Sequence, residues 1–252
     1  MGVRRTVLAV VAVAVLTAGC TTAPRSAVRH PAPPAHHAHH APVVLAAAPG
    51  AGSTLVAALH GPVPGSPAPG APSTLTVPAT WYGYPSVLPV IATRPHWVEV
   101  RLAQRPNGST TWVPQADVTL ANTPYRIVVN LATMHLTVFR DNLPILDFPA
   151  GIGTPDDPTV TGDYFIAMSV PPPDPGYGPF VLVTSAHSDA ITDWEDSGDA
   201  IIAIHGPITT YDDSLIGTTG AAISHGCIRL HDADLAQLAD VPDGTPLDIV
   251  AG

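Results

Sequence analysis

Ala200-Ile201-Ile202-Ala203-Ile204-His205 is a continuous apolar run that ends on a histidine. A short run of this kind, rich in β-branched residues, reads as a strand buried on both faces. His205 then stands at a strand end, a place where reactive groups are commonly presented. Further along comes Ser224-His225-Gly226-Cys227-Ile228-Arg229-Leu230, with Cys227 22 residues after His205. Cysteine with histidine is the minimum set for nucleophilic acyl transfer. The two histidines and Arg229 would favour a thiolate electrostatically. Glycines beside the His-Cys step would let backbone N–H groups approach a developing oxyanion. An inert structural thiol is the competing reading of the same residues.

Outward from this centre, residues 124–252 are mostly strand-like. Tyr125–Asn130 and Met134–Arg140 form a predicted hairpin, followed by strands at Pro144–Ala150 and Asp163–Met168. One short helix is expected near the C-terminus, with Asp232 at its cap and Leu235 and Leu238 on one face. Val241-Pro242-Asp243-Gly244 stops it, and Pro246–Val250 closes the domain as a last strand. The Pro171–Phe180 segment and Trp194-Glu195-Asp196 are candidates for a lid over the cleft.

Upstream, residues 79–121 carry short β-branched or alternating stretches, separated by Arg94-Pro95 and by the turn Pro106-Asn107-Gly108-Ser109. So small a module buries little core and is expected to pack against the domain C-terminal to it. Residues 20–78 are rich in Pro, Ala and His and read as a disordered or semi-extended linker. His30, His36, His37, His39 and His40 lie in it. Without cysteine or carboxylate companions they read as biased composition, with metal binding the weaker alternative.

Residues 1–19 carry Arg4 and Arg5, then an apolar run too short for a comfortable membrane span, as in a signal peptide. Leu16-Thr17-Ala18-Gly19-Cys20 resembles a bacterial lipobox, with Thr17 where leucine is more usual. The expected product is a diacylglyceryl-modified Cys20 that anchors the chain to the membrane. Cys20 and Cys227 are the only two cysteines, so no disulfide framework holds the protein. The formal charge of −10 argues against a nucleic-acid partner.

With Asp234 after it, the pair Ile204-His205-Gly206 and Ser224–Leu230 resembles the L,D-transpeptidase catalytic domain (the YkuD-like family). Arg126–Asn130 leading into His135–Val138, and Phe148–Gly153 preceding Val160–Ile166, are similar to that family's upstream signatures. The resemblance covers residues 124–252. Trp97–Leu102 with Thr111–Pro114 resembles a bacterial Src-homology-3-like barrel module. The expected fold class is therefore mainly β: a β-rich catalytic domain, a small β module before it, and an N-terminal linker.

The family resemblance implies cross-linking of peptidoglycan stem peptides through a thioester, with no cofactor and no metal. It makes Cys227 the nucleophile and His205 the base. Ser224, His225, Gly226 and Gly206 would shape the oxyanion and substrate pocket, and Arg229 would orient the loop or contact a substrate carboxylate. The plainer readings are that His225 holds the turn through a backbone hydrogen bond and that Arg229 pairs with Asp234 or another acid. Pro207 departs from the pattern, since a small hydroxyl residue is frequent there. An L,D-carboxypeptidase and a non-catalytic wall-binding lipoprotein are the alternative functions. The expected location is extracytoplasmic, anchored to the membrane and acting in the cell wall.

Overall fold

Period-2 burial along Trp97–Arg101, with Val98 and Val100 inward, and along Thr110–Pro114, with Thr111 and Val113 inward, marks a half-buried antiparallel pair. In the computed structural model, which describes residues 52–252, this pair belongs to a five-stranded sheet. Its order is Thr110–Pro114, Trp97–Arg101, Val87–Arg94, Thr54–Leu59, Val118–Thr123. Thr54–Leu59 is an interior strand, paired through Val56↔Pro89 on one side and Ala57↔Leu120 on the other.

That strand corrects the expected linker. Residues 54–78 contribute Thr54–Leu59, Val63–Gly65 and Leu75–Val77, the last two paired through Val63↔Val77. Ala57, Val63 and Val77 are buried in the same core as Leu88, Val98, Val100 and Val113. The prolines punctuate short strands: Pro62 precedes one, and Pro64 is exposed on a two-stranded edge, where a missing N–H costs nothing. The small module therefore runs from 54 to 123, not from 79 to 121. The expected signal peptide, Cys20, the rest of the expected linker and the five histidines His30, His36, His37, His39 and His40 lie outside the described residues.

The second sheet has eight strands, in the order Leu143–Pro149, His135–Arg140, Tyr125–Asn130, Pro246–Val250, Gly162–Val170, Val181–His187, Ile201–His205, Ile228–Arg229. The predicted hairpin is present with Ile127↔Val138 in register. Pro246–Val250 is not a trailing edge. It lies mid-sheet, parallel to Tyr125–Asn130 and antiparallel to Gly162–Val170.

Helix Asp232–Leu235, continued by a 3-10 turn at Ala236–Leu238, buries Leu235 and Leu238 against the sheet. The residue that caps it is His231, without a side-chain bond, so Asp232 opens the first turn instead. A second short helix, Thr210–Leu215, buries no residue.

Alternation along Gly162–Val170 joins the two sheets. Tyr164 and Ile166 point into the core of the eight-stranded sheet, whereas Phe165 and Ala167 point into the core of the module. The module thus covers the outer face of this strand, as its small core required.

Candidate active site

The two sequence fragments meet because Ile201–His205 pairs in parallel with Ile228–Arg229, with Ile204↔Ile228 and His205↔Arg229 in register. Leu230 N donates to His205 O at 2.9 Å and extends the ladder. Cys227 is one step before Ile228, which sets it beside Ala203 on the histidine's own strand. It is a free thiol of intermediate exposure.

A tight turn presents it. Ser224 Oγ donates to Cys227 O at 2.5 Å and accepts from Gly226 N at 3.1 Å. Thr159 Oγ1 donates to Gly226 O at 2.8 Å and accepts from Gly153 N at 2.8 Å. Gly226 has φ +112°, a conformation that side chains rarely adopt, so the turn depends on glycine here. Ser224, expected to line the pocket, is buried and uses its hydroxyl inside the turn. With that hydroxyl on its N–H, Gly226 is not an available oxyanion donor.

His205 is almost wholly buried. Its Nδ1 lies 2.7 Å from Gly206 O, so Nδ1 carries the hydrogen and Nε2 is the basic nitrogen. Burial lowers its pKa to about 4; the Gly206 bond and Asp174 oppose this, while Arg229 adds to it. The Tyr177 ring lies 4.6 Å away, centroid to centroid. Gly206 has a role of its own, because a Cβ there would sit 2.5 Å from Asp232 Oδ1 and 2.7 Å from Gly178 N. Only glycine lets the 175–178 segment close onto the strand end.

Burial pushes the Cys227 thiol pKa up, while the Ala203 backbone and Arg229 pull it down less strongly. This corrects the expected thiolate. Near neutrality both thiol and imidazole are uncharged, since each loses more by desolvation than its neighbours return.

The flanking residues are sorted by their partners. Arg229 is buried, and its Nη1 donates to Asp212 Oδ2 at 2.8 Å and to Pro207 O at 3.3 Å. Its acid is Asp212, not Asp234. Thr209 caps the helix that carries Asp212, accepting from Asp212 N at 3.0 Å. The next residue, Asp213, pairs with His231 at 2.6 Å, so Arg229 and His231 together pin Thr210–Leu215 to the segment that follows Cys227. Between His205 and this helix, Ile208 holds φ +72°, an outlier for a β-branched residue that costs about 1–3 kcal/mol.

His225 is exposed. Its Nε2 lies 3.8 Å from Asp157 and its ring 5.1 Å from Trp194. The two segments expected as lids each lay an aromatic ring on a motif histidine: Tyr177 on His205 and Trp194 on His225. Asp212, Asp213 and Tyr177 were not singled out from sequence, although Thr209-x-x-Asp212 is a capping pattern.

A family model for the L,D-transpeptidase catalytic domain (YkuD) matches residues 124–249, half of the chain. The chain belongs to the L,D-transpeptidase catalytic domain family. The match begins one residue after the module's last strand and contains both His205 and Cys227.

Among its relatives, the proteins named YkuD of Bacillus licheniformis and Bacillus subtilis are 31% and 29% identical over 127 residues. Each alignment covers 50% of this chain, which spans 66% of the relative's length. An L,D-transpeptidase from Mycobacterium smegmatis aligns at 17% identity and TM-score 0.39, over 62% of this chain and 91% of that one. L,D-transpeptidase 3 from Mycobacterium tuberculosis, in complex with a faropenem-derived adduct, aligns at 16% and 0.38, over 61% and 91%.

Proposed function

We propose that this protein is a peptidoglycan L,D-transpeptidase with Cys227 as nucleophile and His205 as its base. The observation that carries this is the parallel register His205↔Arg229, which sets the thiol beside the strand that ends in a neutral, buried imidazole. As Cys227 Sγ attacks the carbonyl of the third stem residue, its proton passes to His205 Nε2. The same proton then goes to the departing D-alanine amine, leaving a thioester. A side-chain amine of a second stem peptide displaces the thiol, which recovers its proton through His205.

Because thiol and imidazole are both uncharged at rest, proton transfer accompanies attack instead of preceding it. With the Gly226 N–H held by Ser224, the Cys227 N–H is the candidate oxyanion donor. Arg229 acts through the 207–212 loop instead of touching substrate, and His225 borders the cleft with Trp194.

Incubation of the purified chain with disaccharide-tetrapeptide, followed by mass spectrometry, tests this. A cross-linked dimer is expected, and Cys227→Ala should abolish both the dimer and any carbapenem adduct. Tripeptide alone would make the protein an L,D-carboxypeptidase. No product, with wall binding retained, would make it a wall-binding lipoprotein.

The proposed setting is extracytoplasmic. Residues 1–19 act as a signal peptide and lipidated Cys20 as a membrane anchor, with the small module in the role of a Src-homology-3-like barrel. A diacylglyceryl mass on the Cys20 peptide from a membrane extract is the expected result; an unmodified, secreted chain would refute it.

A further inference from the structure

The turn that joins Trp97–Arg101 to Thr110–Pro114 does not stay within its own sheet. Asn107 Nδ2 donates to His187 O at 2.8 Å, and its Oδ1 accepts from His187 N at 2.9 Å, a two-point contact like that of a neighbouring strand. The His187 ring is buried, with Nε2 2.7 Å from Ala103 O and Nδ1 2.8 Å from the Asp199 carboxylate. Arg105 Nε donates to Asp199 Oδ1 at 2.7 Å, and Nη2 reaches Ser188 O at 2.8 Å and Ile191 O at 3.3 Å. Burial raises the Asp199 pKa, but Arg105, His187 and the Ala200 N–H together outweigh it and hold the carboxyl below its ordinary value.

These contacts fall on His187 and on the two arms of the segment that follows it, 188–200, which links Val181–His187 to Ile201–His205. Ser188 N donates to Ala200 O at 2.8 Å and closes its neck. Within it Trp194 faces His225, two residues before the thiol. The small module therefore grips the neck of a segment whose far end lies against His225, two residues from Cys227 in the chain.

We infer that Arg105, Asn107 and His187 are positioning residues through which the small module fixes the Trp194 segment beside Cys227. Held there, the segment limits what reaches the thiol, and so favours an amine over water at the thioester. Only this last clause rests on the proposed transpeptidase reading. The guanidinium fork suits the task, because three acceptors on both arms of the neck are satisfied by one rigid planar group. Lysine could keep the charge opposite Asp199 but not the fork.

The test measures alkylation of Cys227 by iodoacetamide, read by mass spectrometry on the full chain, with the dimer-to-tripeptide ratio as a second readout. Arg105→Ala and Trp194→Ala should each raise the alkylation rate several-fold. The double variant should do no more than either alone, because both release the same segment. Arg105→Lys should fall between wild type and Arg105→Ala. Should Arg105→Ala fail to fold, Asn107→Ala carries the same expectation. An unchanged rate in a folded module variant, or effects that add, would overturn the inference.

The two proposals fail separately. Chain that alkylates as expected but turns over no stem peptide loses the transpeptidase reading and keeps the module's grip on the segment. Turnover with alkylation unmoved does the reverse. A tripeptide fraction that does not rise in Arg105→Ala removes the water-exclusion clause.

Discussion

Phe165 and Ile166 are consecutive in one strand, both are fully buried, and each lies in a different hydrophobic core. The module and the catalytic sheet therefore share a wall one residue thick. Phe165→Ala should cost about 3–5 kcal/mol, although the side chain points away from the eight-stranded sheet's own core. Urea unfolding followed by tryptophan fluorescence in a Trp194→Phe background, where only Trp81, Trp97 and Trp112 of the module remain, should coincide with unfolding followed by far-UV circular dichroism. Two separated transitions would show that the parts unfold independently.

Arg229 and Asp212 form a mostly buried pair, at 9% and 19% side-chain exposure. Removing only the acid leaves a charge in a poor solvent, and Asp212→Ala should cost about 3 kcal/mol. Replacing both partners with apolar residues of similar volume should recover much of that loss, while activity stays low because the 207–212 loop is no longer tethered. Thermal denaturation beside turnover separates the two effects. Full activity in the apolar double variant would place Arg229 outside the site altogether.

The His205 pKa is about 4 in the folded protein against an ordinary value of 6.5. Above 6.5 the imidazole is neutral in both states and contributes no pH dependence. As pH falls from about 6.5 towards 4, the unfolded chain takes up a proton that the folded one refuses. That linkage should cost up to ~3 kcal/mol. His205→Asn should flatten this acid limb in stability measured against pH. A wild-type curve parallel to the variant's would mean that the imidazole is not desolvated.

Burial raises the Cys227 pKa, which bears on reactivity in the opposite pH range. The rate of iodoacetamide alkylation should keep rising past the ordinary thiol range. An inflection below neutrality would instead reveal a resting thiolate–imidazolium pair.

Ser224→Ala removes both hydroxyl bonds inside the turn that carries Cys227 and leaves the Gly226 N–H without its acceptor. The expected loss is about 1–3 kcal/mol of stability. Turnover should fall mainly in kcat, because the thiol is misplaced without loss of a substrate contact. A change confined to KM would return Ser224 to the substrate pocket.

The catalytic strands were legible in the sequence because their signals are local. AIIAI is apolar without a break, YRIVVN and its partner form a hairpin, and Leu235 and Leu238 share a helix face. The His-Cys pair was legible through a motif. What escaped was non-local or concealed by composition. Residues 54–78 resemble a tether because proline interrupts them, yet Ala57 and Val63 find their apolar partners across a sheet. The helix at Thr210–Leu215 buries nothing and so has no apolar period, which hid Asp212 as the partner of Arg229. No spacing rule joins Arg105 to Asp199 or Asn107 to His187, because those contacts exist only once two sheets have docked.

Pro246–Val250 lies between Tyr125–Asn130 and Gly162–Val170, so the eight-stranded sheet has a gap in its middle until these residues arrive. A ribosome that has made His205 and Cys227 has not yet made a site. Loss of Pro246–Val250 would leave two half-sheets with exposed, hydrogen-bond-hungry borders, more prone to aggregate than to work at reduced rate.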